Sequence, residues 1–143
     1  MKKIIFIYAI IVFAFTSCCD NVYINGDLDG MWQLQKVENS GDATVEYPQV
    51  IYYSFQRNLT FISKMNEVDV PLRLLGNLYY DEKDNTIIIN GLRHFPDEKQ
   101  VVTVSTLGEF MIFDTETKFI VIKLDKNQLV LNSGVYTYYL RRW

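Results

Sequence analysis

Residues 25–30, Asn25-Gly26-Asp27-Leu28-Asp29-Gly30, set oxygen donors at every second position with a glycine sixth, the way a calcium-binding loop opens. Such a loop needs a bidentate carboxylate at its twelfth position, and here that position holds Lys36, so no metal is expected. Carboxylates also come close together at Glu67 and Asp69, at Asp81, Glu82 and Asp84, at Asp97 and Glu98, and at Asp114 and Glu116. Glycoside hydrolysis would need two of them facing each other across a cleft, one with a raised pKa. They fall instead in loop-like sequence beside lysines, which reads as solvated turns. His94 is the sole histidine and stands in Arg93-His94-Phe95-Pro96 without an evident orienting carboxylate. Ser40, Ser54, Ser63, Ser105 and Ser133 lack a Gly-x-Ser-x-Gly context. The sequence therefore reads as non-enzymatic and free of metal and cofactor. A hydrolase working through the acidic loops is the distant alternative.

Cys18 carries a different chemistry. It follows a basic start, Met1-Lys2-Lys3, an apolar run from Ile4 to Phe15, and Thr16-Ser17. This is the pattern of a secretory leader, and the apolar run is well short of the ~20 residues that span a bilayer as a helix. Phe15-Thr16-Ser17-Cys18 resembles the lipobox of bacterial lipoproteins. That resemblance implies cleavage before Cys18 and acylation of Cys18 by palmitate-type chains, enough together for stable membrane attachment where one chain would not suffice. Similarity to Gram-negative lipoproteins without an inner-membrane retention signal implies the outer membrane, facing periplasm or cell surface.

Residues 1–17 are thus expected to be the leader, 18–27 the lipidated N-terminus and tether, and 28–143 one β-rich domain. Loss of the leader removes two lysines, so the net charge of −3 moves to about −5, which argues against nucleic acid as a partner. Both cysteines, Cys18 and Cys19, lie at the lipobox, so no disulfide staples the domain.

Strands must hold whatever the domain does. Leu28, Gly30, Trp32 and Leu34 alternate with Asp29, Met31, Gln33 and Gln35, the period of a half-buried strand. Asn39-Ser40-Gly41-Asp42 breaks it. Alternation resumes from Ile51 to Gln56 and again at Leu59 and Phe61, and Pro71 marks the start of another strand. Leu72–Tyr80 and Thr86–Asn90 flank a hairpin-length polar loop; 118–124, 128–132 and 135–142 make three more strands. The stretch 91–117 is the least legible, and within it Gln100 to Phe113 is compatible with a strand, a short helix or both. Seven or eight short strands joined by short loops favour an all-β antiparallel up-and-down meander that closes into a barrel of about eight strands. A two-sheet β-sandwich is the alternative.

Gly30-Met31-Trp32 has the Gly-x-Trp form of the first lipocalin strand, and Arg141-Arg142 near the end supplies an arginine to set across the indole. On Gly30, Trp32, Arg141 and Arg142, directly after the tether and followed by a meander, the chain resembles the small lipocalin-like lipoproteins of Gram-negative bacteria. The resemblance implies a lipocalin-like barrel with these residues packing one barrel end and, more loosely, binding of a small apolar or amphipathic molecule. Aromatic residues make up 15% of the chain, with doublets at Tyr52-Tyr53, Tyr79-Tyr80 and Tyr138-Tyr139. Each doublet sends one ring inward and one outward. Trp32, Tyr53, Phe55, Phe61 and Tyr139 are the expected interior, ligand-facing residues, in a barrel more filled than open. The alternative function is an interaction module, an accessory subunit or inhibitor presenting loops or an aromatic face to another envelope protein.

Overall fold

The computed structural model describes residues 24–41, 44–46, 50–65 and 71–143. Nine strands follow one another: β1 Gly30–Asn39, β2 Val45–Glu46, β3 Ile51–Gln56, β4 Leu59–Lys64, β5 Leu72–Asp81, β6 Thr86–His94, β7 Glu116–Leu124, β8 Gln128–Asn132 and β9 Tyr136–Arg142. A 3-10 turn, Gly26–Leu28, precedes β1, and a short helix α1, Val104–Gly108, lies between β6 and β7. All neighbours pair antiparallel, and β9 returns to β1 along Trp32↔Arg142 to Asn39↔Tyr136. Strands β1 and β3–β9 therefore form a closed eight-stranded barrel, as the turn spacing predicts, and the sandwich alternative fails on the β1–β9 ladder. Closure gives each of the eight barrel strands a partner on both sides, so that among the described residues only the two-residue β2 has a single neighbour.

One strand was not legible. β2 is only two residues long and pairs with Val37 and Glu38 on the far half of β1. The β1–β3 ladder, by contrast, covers Gly30↔Phe55 to Gln33↔Tyr52 and goes no further along β1.

Alternation places Ile51, Tyr53 and Phe55 of β3, Leu74 and Leu78 of β5, and Tyr138 and Leu140 of β9 in one continuous core. Three register shifts interrupt it. At the shift between Leu34 and Lys36 the parity changes, so Val37 rather than Lys36 turns into the core. A second, opposite Gly76, uses Gly91 in the left-handed region, at φ 60°, and lets β6 run on to His94 beyond the Asn90 boundary expected from the pattern. The third lies between Val121 and Lys123.

The end of the barrel where β1 begins is locked by a compact set of contacts. The Trp32 indole Nε1 donates to the Leu28 carbonyl at 2.9 Å, and the Arg142 guanidinium lies 4.6 Å from the Trp32 ring centroid. Arg142 Nη1 also donates to the carbonyls of Asp27 and Asp29, at 3.0 and 2.9 Å. Two hydrogen bonds and a cation–π contact of about 0.5–2 kcal/mol thus fasten the last strand to the first. Asp29, nearly fully buried, accepts from Asn25 Nδ2 at 2.7 Å, and Asn25 Nδ2 donates to the Arg57 carbonyl at 2.6 Å. The residues that resemble a calcium-loop opening are the floor of the barrel. Their carboxylate and amide groups bind one another and the chain.

Gly30 has φ 135°, and a Cβ there would sit 2.9 Å from Arg142 Nη1. Gly30→Ala is expected to destabilise the fold by about 1–3 kcal/mol through backbone strain and displacement of the guanidinium. Urea unfolding of the single and of a G30A/R142M double variant checks this: the two losses should be strongly non-additive.

Candidate functional site

The opposite end, the mouth, is closed by the illegible stretch between β6 and β7. Thr103 caps α1, its Oγ1 accepting from the Thr106 amide at 3.2 Å. The helix ends after five residues in a Schellman motif: the Met111 amide donates to the Gly108 carbonyl and the Ile112 amide to the Leu107 carbonyl, both at 3.0 Å, with Met111 at φ 61°. The hydrophobic contact typical of that motif is present, because Leu107 and Ile112 are both buried in the core along with Phe110 and Met111. The segment is a plug, not a wall element.

Two phenols hold the plug. Tyr53 Oη donates to the Phe110 carbonyl at 2.8 Å and Tyr138 Oη donates to the Met111 carbonyl at 2.9 Å. Burial raises the Tyr53 pKa well above the ordinary phenol value, reinforced by Tyr138, and burial raises that of Tyr138 too. Both therefore stay neutral donors. Phe119 packs edge-on against Tyr138 at 5.2 Å, Phe55 tilts against Tyr53 at 6.4 Å, and Phe113 stacks on Tyr136 at 4.4 Å. Lys64 Nζ, 3.3 Å from Glu109 Oε2, adds a rim contact. Deeper in, Thr60 is fully buried and its hydroxyl has no hydrogen-bond partner among the described residues.

The barrel interior is thus mainly apolar and filled by side chains, with the hydroxyls of Tyr53, Tyr138 and Thr117 toward the mouth and that of Thr60 toward the floor. Of the five expected interior residues, Trp32, Tyr53 and Phe55 are there. Phe61 and Tyr139 are not, and the expectation for them is corrected. Phe61 lies between inward-facing Thr60 and Ile62, so strand parity sends it outward, where it meets Phe95. Tyr139 follows inward-facing Tyr138 and lies outside: its phenol donates to Glu38 Oε2 at 2.7 Å, with Lys36 Nζ 4.1 Å from the ring. The hydrogen bonds from Lys36 and then Tyr139 hold the Glu38 carboxyl below its usual range, and the bond to Glu38 pushes the Tyr139 phenol up. In the barrel-end set, Gly30, Trp32 and Arg142 come together. Arg141 points outward instead, its Nε donating to Gln33 Oε1 at 2.9 Å.

Three of the acidic groups serve turns. Asp81 accepts from the amides of Lys83 and Asp84, Asp97 from Lys99, and Asp125 from Asn127 and Gln128, which lowers the Asp125 pKa. An open hollow of about 460 Å³ beneath the floor is lined by Asp27, Tyr80, Glu82, Asn85 and Lys123 among others. Burial, then Glu82, raises the Tyr80 phenol. His94 is half-buried in the register opposite Leu74. Cys18, Cys19, Glu67 and Asp69 lie outside the described residues.

The family model for the lipocalin-like domain matches residues 13–143. The chain belongs to that family. Among solved structures, a lipocalin-like protein from Bacteroides uniformis ATCC 8492 is similar at 22% identity and a TM-score of 0.66, covering 82% of this chain and 100% of that one. An uncharacterised protein from Bacteroides eggerthii DSM 20697 is similar at 24% identity and the same TM-score, over 81% of this chain and 99% of that one. At such identities the likeness shows the fold alone. No curated protein matches the chain. The lipocalin-like barrel is a fold with room, in principle, for one small ligand at eight strands.

What the plug signals in sequence is faint: Thr103 three residues before Thr106, and the apolar run Phe110–Phe113. A spectrophotometric titration is expected to show Tyr53 and Tyr138 silent until the protein unfolds. Because their folded pKa values lie above the unfolded value near 10, the stability they confer is full below pH ~10 and declines as pH rises beyond it. Tyr53→Phe should flatten that alkaline decline in Tm and, by leaving the Phe110 carbonyl unpaired, cost about 1–3 kcal/mol at neutral pH.

Proposed function

We propose that the protein is a lipid-anchored, non-enzymatic envelope lipocalin-like protein whose barrel takes up a small apolar or amphipathic molecule at the plugged mouth. The observation that carries this reading is that the two buried phenols inside the barrel spend their hydrogen bonds on the segment between β6 and β7, at Phe110 and Met111, rather than on the wall. With the plug displaced, an apolar ligand body replaces Phe110 and its polar end replaces the two carbonyls, which is the usual make-up of a small-molecule site.

A dansylated fatty acid is the probe. Saturable one-to-one binding is expected, with faster hydrogen exchange at the amides of Met111 and Ile112 when the probe is bound, and weaker binding to the Y53F/Y138F variant. An absence of saturable binding, or binding that leaves the plug protected, overturns the ligand reading. Native mass spectrometry of protein from its own host would identify the natural occupant.

Anchoring at Cys18 is supported by the lipobox-like Phe15-Thr16-Ser17-Cys18. Growth with an alkyne-tagged palmitate should label the protein and place it in the outer-membrane fraction; Cys18→Ser should lose both, and label persisting in that variant overturns the assignment. A second reading, an interaction module, is favoured by Tyr79, Ile120 and Ile122, which stand more than half exposed on the outside of β5 and β7. It predicts a co-purifying envelope protein that is lost on I120S/I122S.

A further inference from the structure

The outer wall is not uniform around the barrel. Register sets Met31, Ser54, Phe61 and Leu75 side by side across β1, β3, β4 and β5, and Phe95 packs edge-on against Phe61 at 5.6 Å. The neighbouring row runs Arg141, Gln33, Tyr52, Ser63, Arg73. Trp143, 62% exposed, lies edge-on to Tyr52 at 5.0 Å, and its amide donates to the Met31 carbonyl at 2.9 Å. Met31, Leu59, Phe95 and Trp143 all stand open to solvent.

The formal charges on this wall are largely positive. Arg73, Arg93 and Arg141 come from strands and Arg57 from the β3–β4 turn, while β3 and β4 contain no carboxylate. Glu98 pairs with Arg93 at 3.1 Å. Asp97, beside Glu98, and Glu109, which pairs with Lys64 of β4 at 3.3 Å, flank the wall, while Asp81, Glu82 and Asp84 lie at the β5–β6 turn and Glu116 and Asp125 at the ends of β7. On a chain of net charge −3 this is a local reversal of sign.

The chain also arrives at the foot of this wall, because Asn25 is tied to the Arg57 carbonyl. Cys18 stands six residues before Ile24. Even fully extended, that stretch reaches only about 20 Å.

We propose that this aromatic and arginine-bearing wall is a membrane-docking face that rests on anionic phospholipid headgroups. Trp143 and Phe95, with Met31 and Leu59, enter the interface, and Arg57, Arg73 and Arg141 meet phosphates while Arg93 keeps its Glu98 partner, the division of labour that interfacial aromatic belts and juxtamembrane basic groups follow. The proposal rests on the anchoring reading for its orientation: a short tether beside the wall brings that wall down. The barrel then lies on its side with the mouth clear of the bilayer.

The strand pairs that close the barrel lie wholly within residues 30–142, so the unacylated chain from residue 20 onward serves for the test. It is sedimented with vesicles of phosphatidylcholine alone and of phosphatidylcholine containing phosphatidylglycerol. Retention on the anionic vesicles, with a blue-shifted emission component that Trp143→Phe removes while buried Trp32 stays unshifted, is the expected result. R73Q/R141Q should weaken that retention about tenfold, and K118Q/K123Q on β7, across the barrel from β3 and β4, should leave it unchanged. Equal partition into both vesicles, no retention, or equal loss in the two charge variants overturns the proposal. Capture of this wall by an envelope protein without vesicle binding overturns it in favour of a protein partner. Because the chain tested carries no acyl group, failure here leaves the Cys18 labelling result standing, and failure of the labelling leaves this one standing.

Discussion

The ladder between the first and last strands is the constraint on which the rest depends. Without β9 against β1, the meander would be an open twisted sheet with two long edges and one wet face. Arg142 makes the closure specific rather than merely available. It lies over the Trp32 ring and bonds the carbonyls of Asp27 and Asp29, so one side chain joins the final strand, the first strand and the turn before it. Gly30 is the complement to that reach: it leaves the space the guanidinium needs.

Most of the wall was legible because half-buried strands write their parity into the sequence. Ile51-Tyr52-Tyr53-Ser54-Phe55 gives the inside of β3 directly, and Gly30-x-Trp32 with a late arginine points to the floor. Parity counting fails where it must, at bulges. Val37 turns inward because of the shift near Lys36, and β6 runs past Asn90 because Gly91 absorbs an extra residue. Aromatic character alone misplaced Phe61 and Tyr139: a large ring pays no heed to which side of a strand it is on, whereas its neighbours Ile62 and Tyr138 already fill the inside. The plug was unreadable for another reason. A five-residue helix offers no 3.6-residue stripe, and its left-handed position is held by Met111 rather than by Gly108.

Polar groups inside the barrel tell the two ends apart. At the floor, buried Asp29 and the Trp32 indole nitrogen are satisfied within the chain stretch that forms that end. At the mouth, the phenols of Tyr53 and Tyr138 reach out of the wall to carbonyls contributed by residues far off in sequence. Opening the floor would strand an acid, an indole and a guanidinium together. Opening the mouth strands two neutral hydroxyls and two carbonyls, which any amphipathic visitor with a polar tip can satisfy again. By this contrast the floor is tied by charged and indole groups and the mouth by neutral ones.

The unequal partnership of β1 carries a mechanical implication. Its lower half is zipped to β3, but above Gln33 that zipper stops and the same edge is occupied by the two residues of β2 instead. The cylinder therefore has a seam, running from mid-height to the rim, along which β1 and β3 share no ladder and β2 pairs with β1 alone. Slow breathing of the barrel, read as the first wall amides to exchange with solvent, will start along this seam, beside the plug rather than at the locked base.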